Sequence, residues 1–175
     1  LTELGLRGFP KTSGNRGIHI YLRIKPEWSF EDLRHAAIGF GRELERRDAS
    51  VTTAWWKEER GQRLFIDFNQ NNRDRTIASA WSLRPKPGAP VSTPMTWAQL
   101  AEVNDPADFN LWSVPDFLSH GNAWSEIDDV AHCLDPLLRL WETLPGGELN
   151  FPPDYPKMPG EPPRVQPSKK VAEHW

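Results

Sequence analysis

Cysteine is nearly absent: Cys133 stands alone in 175 residues. One thiol closes no intramolecular disulfide and builds no Cys-cluster zinc site. Long apolar runs are missing too. No stretch approaches the roughly twenty residues a membrane-spanning helix needs, and no leader of basic-then-apolar type opens the chain. The expectation is a soluble cytoplasmic protein with no membrane partner. Positive charge is not in excess, since 21 Lys and Arg face 24 Asp and Glu for a net charge of −3. The chain as a whole therefore carries no basic footprint for nucleic acid. No Asp-x-Asp lies in an apolar setting, although divalent-cation chemistry on phosphates usually wants two or three carboxylates. The first residue is not Met. Leu1-Thr2-Glu3-Leu4-Gly5-Leu6 reads as the last turn of a helix with Gly5 or Gly8 as its cap, so an upstream portion is expected.

What is present is an ordinary globular composition, 38% hydrophobic, with an unusual nine tryptophans. Several of these must pair their indole N–H or sit at the surface. The length suits one domain with a sizeable core. Charge is distributed unevenly. Lys57, Arg60, Arg63, Arg73, Arg75, Arg84 and Lys86 outnumber Glu58, Glu59, Asp67 and Asp74 in the middle, and the acidic excess follows around Asp105 to Asp135.

The densest chemistry lies in Lys11-Thr12-Ser13-Gly14-Asn15-Arg16-Gly17-Ile18-His19-Ile20-Tyr21. Glycines let backbone N–H groups converge, Lys11 and Arg16 supply charge, and Thr12 and Ser13 supply short donors, which together suit an anion. The alternation of Ile18, Ile20, Leu22 and Ile24 predicts a buried strand over 17–24, after a loop over 7–16. Ser29 followed by Glu31 and Asp32 caps a helix predicted over 30–47. Its stripe is Leu33, Ala36, Ala37, Phe40 and Leu44, and its polar face (Arg34, His35, Arg42, Glu43, Arg46, Arg47) reads as solvated. Residues 51–56 fit a short strand or an extended connector, and 58–63 a turn. Strands are predicted over 64–69 and 76–83, with short helices over 97–102 and 114–118. A further helical stretch runs over 125–143, interrupted by Pro136. From Pro145 the chain is rich in Pro and Gly and loses periodicity. The fold class expected is α+β, a mixed or antiparallel sheet flanked by helices, with residues 1–150 as the domain and 151–175 as a Pro-rich wrap and tail.

Asp67 is the one charged residue inside the apolar run 64–68. Either it pairs at a strand end with Arg63 or Arg75, or it is a ligand for a hard cation such as Mg²⁺ or Mn²⁺. His19 is either a half-buried histidine satisfied within the fold or a donor to phosphate. Arg16, Gln70, Asn71 and Arg84 are of the right kind for phosphate. Trp55, Trp56, Trp81 and Trp112 fit base stacking or plain packing. Arg60 and Arg63 fit either a DNA backbone or an ordinary surface.

Three blocks in fixed order carry a resemblance. They are Lys11 to His19, then Phe65-Ile66-Asp67-Phe68-Asn69-Gln70-Asn71, then Ser82-Leu83-Arg84 with Pro87 to Pro94 and Trp97. The sequence resembles the polymerase domain of bacterial DNA ligase D and its stand-alone relatives in the archaeo-eukaryotic primase superfamily, over residues 1 to about 165. The resemblance implies the C-terminal part of a primase-like polymerase domain, a nucleotidyltransferase adding NTP or dNTP to a primer 3′-OH in DNA end-joining repair. It implies Asp67 as a catalytic metal ligand for Mn²⁺ or Mg²⁺, and His19 beside the triphosphate. Ser13, Arg16, Gly17, Gln70 and Arg84 would bind that triphosphate. Many relatives carry Lys where this chain has Arg16, a point charge in place of a bidentate fork. The partners implied are DNA with a primer end or gap, the nucleotide, a ligase and end-binding repair proteins, in the bacterial nucleoid. The family's first Asp-x-Asp motif is expected upstream of Leu1, so the 175 residues alone would be inactive. The alternatives are a non-catalytic nucleotide- or nucleic-acid-binding module and a phosphoryl hydrolase reusing the same loop.

Overall fold

The computed structural model describes residues 1–72, 75–147 and 169–170. Two compact units share the chain. One joins Leu1–Pro26 to Ile77–Cys133, and the other joins Glu27–Thr76 to the described residues of Leu134–Trp175. The class is mixed α and β, as expected, but the sheets are smaller than the sequence suggests. One antiparallel pair and one parallel pair take the place of a continuous sheet.

In the first unit a 3-10 turn at Thr2–Leu4 ends on Gly5 in the left-handed region (φ 69°), as its sequence indicates. Strand β1 (Gly8–Thr12) then pairs with β2 (Ile18–Leu22) in the register Gly8↔Leu22 to Thr12↔Ile18. Half of the expected loop over 7–16 is thus strand. Every residue of β1 is buried. Two indoles fix it: Trp97 Nε1 donates to the Gly8 carbonyl at 2.8 Å and Trp124 Nε1 to that of Pro10 at 2.9 Å. Pro10 can sit in this strand because it need only accept. The faces of β2 are reversed from the expectation. Ile18 and Ile20 are 45% and 44% exposed, while Tyr21 turns inward against Trp124, with ring centroids 4.9 Å apart.

Residues 76–83 form no regular strand. Trp81 and Arg84 donate backbone N–H groups to Ser92 and Pro90, Ser92 donates to Ser82, and Leu83 bridges Val91. The Pro-rich turn between them reverses the chain. Helices α3 (Trp97–Ala101) and α4 (Val114–Ser119) lie where predicted. The Thr96 hydroxyl accepts from Gln99 N, and the Gln99 side chain accepts from Thr96 N, a reciprocal cap. The predicted helix over 125–143 is broken. Its first half is a 3-10 turn at Ile127–Asp129, and His132 then pairs its backbone with Arg23 and Lys25.

In the second unit Ser29 and Asp32 cap each other's backbone at the start of α1 (Phe30–Arg47). Residues Val51–Thr52 form β3, parallel to β4 (Leu64–Phe65), with the single-turn helix α2 (Lys57–Arg60) between them. Helix α5 (Asp135–Thr143) begins with Pro136 in its first turn, where the missing N–H costs nothing. Ile38, Trp55 and Phe68 make the core, flanked by Trp141 and Phe65. The polar face of α1 is only partly solvated. Arg34 is 1% exposed, because it shares one helical face with Ile38 and Gly41, and Glu43 is 8% exposed on the opposite face, under Arg46 and Arg47. Residues 148–168 and 171–175, which hold most of the Pro-rich stretch, lie outside the described residues.

Glu43 gives a pH signature. Its carboxylate accepts from Arg46 Nε and Nη2, each at 2.8 Å, and from Arg47 Nε at 2.7 Å. These hydrogen bonds hold its pKa down from 4.5 to about 2. A depressed folded-state pKa stabilises above the unfolded value and loses that contribution as pH falls through the folded one. Melting temperatures measured between about pH 5 and 2 should therefore fall less steeply in Glu43→Gln than in the parent. Equal slopes would remove the pair from the acid response.

Candidate functional site

The sequence-predicted residues divide between the units. Ser13, Arg16, Gly17, His19 and Arg84 belong to the first, and Asp67, Gln70, Arg60 and Arg63 to the second.

In the first unit the turn between β1 and β2 is closed by its own serine. Ser13 N donates to the Gly17 carbonyl at 2.9 Å. The N–H groups of Asn15 and Gly17 both donate to Ser13 Oγ at 3.2 Å. Backbone donors do converge, then, but on the hydroxyl oxygen. That oxygen accepts twice, so its O–H is left to donate to another group, and no acceptor takes it among the described residues. Gly14 sits at φ 65°, and a Cβ there would lie 2.5 Å from Arg84 Cγ and 3.2 Å from Ser92 N. The Gly is required twice over, by conformation and by the Arg84 stem lying across it. Arg84 meets no carboxylate or hydrogen-bond acceptor with its guanidinium among the described residues, and its Nε is buried without a partner. A buried unpartnered guanidinium nitrogen calls for an explanation, and a bound anion would supply one. Arg16 is exposed in the turn, and His19 is half-buried on β2, opposite Lys11 in the register.

Lys11 is the residue that the sequence placed wrongly. It belongs to β1 and is 0% exposed. Its ammonium donates to Ser92 Oγ, sits 3.5 Å from the Thr12 carbonyl, and lies 5.8 Å from the Tyr21 ring centroid. Burial, and then the charge of Arg84, lower its pKa from 10.5 to about 8. Ser92 donates in turn to the Thr12 carbonyl at 2.8 Å. Ser92 was not singled out in the sequence, although it sits within the third block. The available signal is a Ser-Thr pair after the apolar Val91 and before Pro94, polar atoms at positions that a strand buries.

In the second unit Asp67 lies beyond β4, not within a strand, and is exposed. Its Oδ1 accepts from Asn69 N at 3.0 Å, so the carboxylate turns the chain out of the pairing. Arg34 Nη1 holds Asn69 Oδ1 at 3.2 Å, with its guanidinium 4.9 Å from the Phe68 ring centroid and 5.5 Å from that of Trp55. The turn carrying Asp67 and the exposed Gln70 is thus tied to α1. Among the described residues no three His, Cys, Asp or Glu side chains gather in a metal-binding group. Asp67 alone does not make a site for a divalent cation.

Arg60 corrects its expectation as a DNA contact. It is 6% exposed. Its Nε and Nη2 donate to the carbonyls of Ala54 and Trp55 at 3.0 and 2.8 Å, and its guanidinium lies 3.4 Å from the centre of Phe65. Arg63 is exposed, although it donates to the Arg60 and Glu59 carbonyls. Trp55 is core, at 5% exposure, and Trp112 is 71% exposed.

Set against solved structures, this mixed α and β fold is similar to that of a polymerase domain. The chain aligns with the "Polymerase Domain from Mycobacterium tuberculosis Ligase D in complex with DNA" at a TM-score of 0.65 and 29% identity, covering 75% of this chain and 46% of that one. The sequence profile described as "LigD, primase-polymerase domain" matches residues 1–124. The chain belongs to that family. The multifunctional non-homologous end joining protein LigD of Pseudomonas aeruginosa is 28% identical over 130 residues, 72% of this chain and 16% of that protein. The LigD of Mycobacterium tuberculosis H37Rv is 34% identical over 108 residues, 61% and 14% respectively. The bifunctional LigD of Bacillus subtilis is 27% identical over 118 residues, 66% and 19%. The chain thus spans under a fifth of the length of these relatives. No helix among the described residues is long and apolar enough to cross a membrane.

Proposed function

We propose that this chain supplies the triphosphate grip of a nucleotidyltransferase that adds NTP or dNTP to a primer 3′-OH in DNA end-joining repair. The observation that carries the reading is the Ser13–Gly17 turn with Arg84 across Gly14: a hydroxyl whose oxygen accepts twice and whose proton no acceptor takes, and a guanidinium with no anion, both among the described residues. Membership of the LigD family supports the reaction class, and the DNA in the M. tuberculosis complex supports the partner. In this reading Ser13 donates its O–H to a phosphate oxygen. Arg84 and Arg16 balance the charge that builds up as pyrophosphate leaves, and His19 donates from the inner face of β2. Gln70, exposed on the Asp67 turn of the second unit, is a further candidate phosphate ligand. Asp67 would contribute one carboxylate to a bound Mn²⁺ or Mg²⁺, which needs more ligands than the described residues gather around it. Arg63, exposed although it lies 3.6 Å from Glu45 Oε1, is a cation of the second unit open to a DNA backbone.

Titration of the purified chain with ATP tests the grip. Arg84→Ala should weaken binding by about tenfold or more, since charge-assisted hydrogen bonds to phosphate are lost. Arg84→Lys should recover only part of it, as a point charge in place of a fork, and Ser13→Ala should cost about fivefold. Parent-like affinity in both alanine variants would overturn the reading.

A further inference from the structure

We propose that Lys11, which nothing in the family assignment singles out, is a positioning cation of the triphosphate site: it acts from beneath the Ser13–Gly17 turn through Ser92 and Arg84, and its protonation is coupled to anion binding. The inference rests on the triphosphate reading of that turn.

The geometry is unusual for a lysine. Lysine is almost never fully buried unless paired, and Lys11 is 0% exposed. Its acceptors are neutral: the Ser92 hydroxyl and, at 3.5 Å, the Thr12 carbonyl. No carboxylate pairs with it among the described residues. The charged group that bears on it is another cation, Arg84. Two cations held together without an anion cost free energy, and that cost falls when a polyanion arrives. The same Arg84 lies over Gly14, and Ser92 contributes both its hydroxyl to Lys11 and its backbone N to the floor under Gly14. Lys11, Ser92, Arg84 and the turn are therefore one packed unit, with the ammonium buried in it and the half-buried Ser13 at its edge.

The groups facing Lys11 from each neighbouring element are Arg84 from the segment before the Pro-rich turn, and His19 and Tyr21 from β2. Thr12, Ser92 and Thr93 add only neutral atoms. The Tyr21 phenol is raised by burial, so it stays neutral through the range in which Lys11 titrates.

The sign follows from these facts. In the free protein Lys11 loses its proton as pH rises through about 8. A bound polyanion stabilises the ammonium and raises that pKa. Binding above about pH 8 therefore takes up a proton, and affinity falls as pH rises.

The test is the pH profile of ATP binding to the purified chain between about pH 7.5 and 9.5, without metal. ATP suits the range because its adenine ring carries no proton that titrates there. Affinity of the parent should fall about five- to tenfold across the range. Calorimetry at about pH 8.5 in two buffers of different ionisation enthalpy should show net proton uptake. Lys11→Met should bind about as weakly at pH 7.5 as the parent does at pH 9.5, with a flat profile and no proton uptake. Lys11→Arg should restore the low-pH affinity and remain flat, since guanidinium does not titrate there. His19→Gln should keep the slope, which separates the imidazole from the lysine. A parent profile that is flat, or a slope that survives in Lys11→Met, overturns the assignment of Lys11 alone. A parent that binds no ATP at any pH overturns the triphosphate reading itself. Should Lys11→Met fail to fold, Lys11→Arg with a parent-like slope would overturn the coupling equally well.

Discussion

Asp67→Asn in the full-length protein should abolish primer extension while leaving the fold and the turn intact. The choice of Asn matters because Asp67 does two things. Its Oδ1 accepts from Asn69 N and turns the chain out of β4, and its charge is open to solvent. An asparagine carbonyl keeps the first and removes the second. Asp67→Ala removes both, so it confounds a lost turn with a lost charge. If the carboxylate is a metal ligand, the charge-only variant should lose on the order of a thousandfold in extension rate, several kcal/mol of transition-state stabilisation. Its melting temperature should match the parent's, and so should ATP affinity measured without metal. Extension that survives in Asp67→Asn but fails in Asp67→Ala would make Asp67 a turn residue and end its candidacy as a ligand. Arg34→Met gives the complementary result. The Asn69 side chain would lose its donor, so extension should fall through misplacement of an unaltered carboxylate, and excess metal should not restore it.

Much of this was legible in residue order, and the failures share a physical cause. The caps at Ser29 and Thr96 are short-range chemistry, and the helices that follow them stand where expected. The three motif blocks gave the family because they are local strings. What local strings do not carry is the partner of a strand. Lys11-Thr12 reads as loop because a lysine beside a hydroxyl is polar. Its burial depends on Pro94 and Ser92, some eighty residues on, and on indoles from Trp97 and Trp124. Ile18 and Ile20 read as buried by alternation, yet period two says only that they share a face, not which face is covered. Arg60 reads as a surface cation because charge is usually solvated. The segments on either side of it supply two backbone carbonyls, of Ala54 and Trp55, and the Phe65 ring to receive it. Arg34 was recoverable, since it lies four residues before Ile38 and seven before Gly41 on one helical face.

The same distinction, between what a face meets and what it merely presents, decides the largest stability effect. Gly39→Ala should destabilise the chain by about 2 kcal/mol, although alanine favours a helix by about 1 kcal/mol over glycine. The reason is the backbone of α5. A Cβ at Gly39 would lie 2.6 Å from Trp141 N and 3.0 Å from the Leu137 carbonyl oxygen. Backbone atoms inside a helix cannot step aside singly, so α1 and α5 must separate along the seam that also stacks His35 on Trp141 at 4.3 Å. Overpacking of this kind costs about 1–3 kcal/mol before the propensity gain is subtracted, and separating the seam adds to it. Gly41 is the internal control, two residues along the same helix. A Cβ there would meet Thr53 Cγ2 at 2.8 Å and Ile66 Cγ2 at 3.1 Å. Both are side-chain methyls that can shift, so the propensity gain should offset most of the cost and Gly41→Ala should stay within about 1 kcal/mol of the parent. Urea unfolding of the three proteins gives the comparison directly. The order expected is parent, then Gly41→Ala close to it, then Gly39→Ala well below. If Gly39→Ala equals or exceeds the parent, the helices do not meet at backbone distance, and α1 is held by its Arg34 and Ile38 face alone.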